Sequence, residues 1–170
     1  MSTSGPYTFD IETLLNASQP NSILAVGNDA AATLESYLQQ RTFIKRDCRV
    51  TTIDPLDTLT DIERHDAGVV VGAMETLSKI EGLRLLSRLR DILTGQFCVV
   101  LPIAPEHGDD ENAWRANELL ALGLTLVNQY PTEQQPLMMF KYDIATYKKT
   151  PDWFNAESWA NPELWDKYRW

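Results

Sequence analysis

Six side chains that could move a proton or hold a polar ligand come shortly after apolar runs: Asn28, Asp29, Asp54, Glu75, Glu106 and His107. Carboxylates accept hydrogen bonds from hydroxyl or ammonium groups, and an imidazole exchanges protons near neutral pH, so Glu75 and His107 are the candidates for acid–base work. Each residue also has a plainer reading. Asp29 sits where a helix should begin, so it can cap free N–H groups and complement the helix dipole. Asp54 precedes Pro55, as in an ordinary turn at a strand end. Glu106 and His107 share an acidic loop, and no serine, cysteine or second histidine is placed to complete a nucleophilic group. His65 precedes its strand and falls at the opposite end of the sheet. Cys48 and Cys98 lack CxxC spacing, and Cys98 lies inside Phe97-Cys-Val-Val-Leu101, so neither a disulfide nor a metal site is expected.

The elements that must position these residues alternate along the chain. Residues 1–21 form a polar arm around the apolar patch Ile11 to Leu15, which suits a short helix covering a sheet edge. Strand Ser22 to Val26 leads through Gly27 into a helix from Ala30 to Arg41 with Leu34, Tyr37 and Leu38 on one face. Strands Arg49 to Ile53 and Ala67 to Val71 follow, the latter apolar on both faces like a central parallel strand. Ser78 and Glu81 form a capping box that opens the next helix, whose stripe is Ile80, Leu83, Leu86, Leu89 and Leu93, with Gly95 closing it. Arg84 and Arg88 face outward, as a solvated surface or a dock for an acidic partner. Strand Phe97 to Leu101, a helix from Glu111 to Leu122, and the segments Leu124–Gln129 and Leu137–Tyr142 complete the pattern. The last two suit an antiparallel hairpin. The class is α/β, with a mainly parallel sheet of about six strands flanked by helices.

With 44% apolar and 23% charged residues over 170 positions, the chain has the composition of one compact domain. Its net charge of −9 repels phosphate backbones, so neither nucleic acid nor an anionic membrane is an expected partner. No Lys or Arg precedes Arg41, and the longest apolar run, Phe97 to Ala104, is too short to cross a bilayer. The expectation is a soluble, cytoplasmic, acidic protein.

Ile23-Leu-Ala-Val-Gly27, Thr51-Thr-Ile-Asp54, Asp66-Ala-Gly-Val-Val-Val71 and Phe97 to Pro102, in this order, resemble the S-adenosylmethionine-dependent methyltransferases. The resemblance covers residues 20–142 and implies a Rossmann-like sheet ending in an antiparallel hairpin. It also implies that Gly27, Asn28, Asp29 and Asp54 would hold S-adenosylmethionine, with Asp54 as the acid on the ribose. Three departures stand out. Ala25 replaces the acidic residue of the first motif. Asn28-Asp29-Ala30-Ala31 replaces a glycine-rich loop, putting Cβ atoms where a cofactor needs close backbone approach. Between Asp54 and Asp66 there are only 11 residues, where the family places a helix, a strand and an adenine-contacting loop, so a truncated topology is expected.

Trp153, Trp159, Trp165 and Trp170 crowd the last 18 residues, with Thr150-Pro151 and Asn161-Pro162 reading as starts of two short helices. Residues 143–170 are thus a tryptophan-rich tail on a domain spanning 1–142. The tail resembles that of a family of uncharacterised bacterial proteins. Such rings must be buried, either on the chain's own domain, covering the sheet left open by the missing strand, or on a protein partner or second copy. The leading expectation is a non-catalytic methyltransferase-like domain with a disabled cofactor loop, acting as a binding or scaffold protein and needing no cofactor. The alternative is a divergent methyltransferase that binds S-adenosylmethionine.

Overall fold

Strand β1 (Ser22–Val26) is apolar on both sides because it lies between two parallel neighbours and beneath helices on both faces. It pairs with β2 (Arg49–Ile53), which forms one edge, and with β3 (His65–Val71), setting Leu24 between Thr51 and Gly68. β4 (Thr94–Pro102) continues the parallel run. β6 (Leu137–Asp143) then pairs antiparallel with β4, and β5 (Thr125–Tyr130) closes the far edge, giving the order β2-β1-β3-β4-β6-β5. This computed structural model describes residues 5–44, 48–55 and 59–146. The sheet is the expected α/β architecture with its terminal hairpin.

One face packs under α1 (Thr8–Ser18) and α2 (Ala30–Phe43), with Ile11, Leu15, Leu34 and Tyr37 against Ile23, Ala25, Val69 and Val100. The other packs under α3 (Lys79–Arg88) and α4 (Ala116–Ala121), with Leu85, Leu86, Leu89, Trp114 and Leu119 against Leu24, Val70, Val99 and Phe140. Between Asp54 and Asp66 the described chain forms only a short 3-10 turn, Leu59–Asp61. This is the expected truncation, and it leaves β2 at the edge.

Four local expectations are corrected. α1 lies over a sheet face rather than an edge, because Ile11 and Leu15 together reach the strands, while Asp10 extends to the edge strand through Asn128 and the Tyr130 hydroxyl. The buried stripe of α3 runs through Gly82, Leu85 and Leu86, and Ile80 is 65% exposed. Gly95 does not close that helix. A π turn, Leu89–Leu93, widens its end, the Thr94 hydroxyl donates to the Leu89 carbonyl at 2.8 Å, and Gly95 already belongs to β4. α4 begins at Ala116 rather than Glu111, since the preceding segment is held by other bonds: Ala104 N–H to Trp114 O, and Arg115 Nη2 to the carbonyls of Gly108 and Asp110. The capping box at Ser78 and Glu81 forms as expected.

Candidate functional site

Parallel strands present their carboxyl ends on one side, and ligands of open α/β sheets settle there. At that side β1 ends in Gly27, β2 in Asp54 and β3 in Gly72, followed by Glu75. The Gly27 N–H donates to Ile53 O at 3.4 Å, holding the turns after β1 and β2 together.

Gly27 has φ +102°, and a Cβ placed on it would lie 2.2 Å from Val71 O and 2.9 Å from Ala73 N. Its bare side is thus turned onto the backbone following β3. Gly72, at φ +67°, makes the reciprocal approach: a Cβ there would meet the Asp29 carboxylate at 2.8 Å. Asp29 is the residue before α2, but its side chain makes no capping bond. The reason is its backbone, at φ −99° and ψ −7°, which is helical, whereas a side-chain cap needs the extended region. Its carbonyl instead accepts from the Thr33 N–H at 3.0 Å and hydroxyl at 2.7 Å, and its carboxylate lies over Gly72. The expected cap is therefore corrected to a contact between the two turns.

This contact gathers charge. Glu75 is raised above the ordinary carboxylate range, first by desolvation and further by the Asp29 charge, with a backbone hydrogen bond opposing. Tyr7, from the arm ahead of α1, is raised by burial and then by Asp29 and Glu75, partly offset by the Thr33 hydroxyl. Its ring meets Tyr130 edge to face at 6.1 Å. The site is therefore an acidic mouth of Asp29 and Glu75 with the Tyr7 phenol beside it, and exposed Asn28 and Asp54 on the adjoining turns. Such a mouth favours a cationic group over a phosphate. Tyr7, Thr33 and Gly72 carry no local sequence signal that links them to Asp29, apart from a glycine directly after the apolar run of β3.

The structure does not bring Glu106 or His107 into this group. The Glu106 carboxylate accepts from Asn117 N at 3.3 Å and Nδ2 at 2.8 Å, so it caps the first turn of α4. His107 stays exposed in that loop, where the Gly108 N–H donates to Pro105 O and Arg115 Nη2 donates to the Gly108 and Asp110 carbonyls. His65 lies at the opposite end of the sheet, buried, with Nδ1 2.7 Å from Glu63 O and Nε2 2.8 Å from Thr51 Oγ1. Nδ1 donates to that carbonyl, which can only accept, and the Thr51 hydroxyl can serve Nε2 as donor or acceptor. Burial pushes the Cys98 thiol up to about 12, and the half-buried Cys48 thiol is raised as well. Among the described residues no His, Cys, Asp and Glu cluster has metal-holding geometry, and no helix is long and apolar enough to cross a membrane. Trp153, Trp159, Trp165 and Trp170, and the two short helices expected around them, lie outside the described residues.

Comparison with solved structures places this fold among methyltransferases. The methyltransferase domain of bacterial CtHen1, in the form designated CtHen1-CN, superposes with a TM-score of 0.55 at 11% identity, covering 80% of this chain and 96% of that one. The form designated CtHen1-C gives 0.51 at 13% identity over 81% and 96%. The pyocyanin biosynthetic protein PhzM gives 0.50 at 13% identity, covering 79% of this chain and 53% of its own. At these identities the likeness concerns the fold. No curated protein matches the sequence. A family described as "Family of unknown function (DUF6231)" matches residues 7–170.

Proposed function

The chain belongs to that family, DUF6231, and we propose that it is a methyltransferase-like domain that has given up methyl transfer and works as a binding or scaffold protein. The observation that carries this reading is the use made of Gly27. In a cofactor cradle, glycine lets a ligand approach the backbone; here the same bare side is taken by Val71 O and Ala73. Asn28 and Asp29 add side chains to the same turn, and Asp29 is committed to Gly72. The residues present fit S-adenosylmethionine poorly.

A second reading, a divergent S-adenosylmethionine-dependent methyltransferase, is favoured by one feature. The acidic pair Asp29 and Glu75 suits a ligand carrying ammonium and sulfonium charges, and Asp54 stands on the neighbouring turn. In that reading Gly27, Asn28, Asp29 and Asp54 hold the cofactor, and Glu75 or His107 serves the substrate.

Titration calorimetry and thermal unfolding with S-adenosylmethionine and S-adenosylhomocysteine separate the two. A ligand present at 100 times its dissociation constant stabilises the folded state by about 2.7 kcal/mol. For a chain of this size that raises the melting temperature by roughly 5–10 °C. The scaffold reading expects no heat and no shift with either ligand at millimolar concentration. Micromolar binding lost in Asp29→Asn would establish the second reading instead.

A further inference from the structure

The outward face of α3 carries an open groove of about 450 Å³ between Ile80, Leu83, Arg84, Ser87 and Arg88. Ile80 is 65% exposed, and Ile92, on the π turn that continues the helix, is 54% exposed. Exposed Ile80 and half-buried Leu83 alternate with Arg84 and Arg88, so on a chain of net charge −9 the groove is an apolar and basic surface of the kind that receives a partner.

We propose that this stripe is the docking site of the chain's own C-terminal segment, residues 147–170. Three observations converge on that occupant. The first is position: the Ile144 N–H donates to Gly95 O at 3.1 Å, so the chain leaves the sheet beside the strand start that directly follows the π turn of α3. The second is reach. Six residues lie between Thr146 and Trp153, and those seven steps span up to about 24 Å when extended, whereas α3 and its π turn together measure about 22 Å. The third is chemistry. Each tail tryptophan has a carboxylate within four residues: Asp152 for Trp153, Glu157 and Glu163 for Trp159, and Asp166 for Trp165 and Trp170. A tryptophan beside an acid complements an isoleucine or leucine beside an arginine: the ring covers the aliphatic side chain and the guanidinium, and the carboxylate pairs with the charge. This cover lies on α3, not on the sheet edge left by the missing strand, and it is independent of whether the mouth at Gly27 binds a cofactor.

Limited chymotrypsin digestion of the full chain tests the proposal, since that protease cuts after exposed aromatic residues. Cleavage after Trp159 and Trp165 should be slow in the unaltered protein and independent of its concentration. It should accelerate about tenfold or more in Ile80→Asp/Arg84→Glu, because cleavage follows the population of the undocked tail. Glu157→Arg/Glu163→Arg added to Arg84→Glu should restore the slow rate. Arg84 is exposed, so Arg84→Glu alone carries the test if Ile80→Asp disturbs folding. Equal cleavage rates in all variants would overturn the proposal. So would protection that grows with protein concentration, which would assign the stripe to a second copy.

Discussion

Replacing Gly27 by alanine separates a glycine needed by the fold from one needed by a ligand. Alanine at φ +102° sits in a region that side chains rarely adopt, at a cost of about 1–3 kcal/mol. Its methyl group would lie 2.2 Å from Val71 O, a backbone atom that cannot rotate away, so β1 and the turn after β3 must separate. Overpacking of that kind costs a further 1–3 kcal/mol or so. The expected loss is about 4 kcal/mol, a large share of the roughly 5–15 kcal/mol that holds a domain folded. For this length it lowers the melting temperature by about 8–16 °C. The assay is thermal and urea unfolding of the variant in ligand-free buffer. If Gly27→Ala unfolds within about 1 kcal/mol of the parent protein, the close approach to Val71 is not what requires glycine, and the structural account of the turn fails.

Phe140, on β6 between β4 and β5, is fully buried, so Phe140→Ala should cost about 3–5 kcal/mol by chemical denaturation, and a loss under 1 kcal/mol would contradict its place in the core. Asp10→Ala removes the acceptor shared by Asn128 and the buried Tyr130 hydroxyl and should cost about 1–3 kcal/mol; hydrogen exchange should quicken in β5 and α1 together, and a change in only one would deny the link. Glu75 is raised, so the folded state holds its proton more tightly than the unfolded chain. Stability from this group is therefore present in acid and lost as pH rises through the folded value. Glu75→Gln should accordingly melt like the parent near pH 4 and above it at pH 7, and a difference that shrinks with rising pH would reverse the sign. Cys98 should resist thiol reagents until the protein unfolds, while Cys48 reacts in the native state more slowly than a free thiol.

What the chain's order of residues decided was the sheet. Ile23-Leu-Ala-Val26, Ala67 to Val71 and Phe97 to Leu101 are apolar on both faces, and only parallel strands covered twice need that, so the strands were legible to within a few residues. The 11-residue gap before Asp66 announced the shortened edge. The capping box at Ser78 was equally plain, because its bonds span three residues.

What tertiary contact decided was every property that depends on residues far apart. The phase of α3, and with it the exposure of Ile80, was set by packing against Trp114 and β4. The late start of α4 followed from carbonyls drawn to Arg115 and Lys79. Asp29 is a cap-forming residue type, yet its helical backbone leaves the cap unmade and its carboxylate lies over Gly72, where its charge acts on Glu75 and Tyr7, residues 46 positions after and 22 before it. Local pattern records what a residue buries; which charge it meets is fixed only when the sheet brings the strand ends side by side.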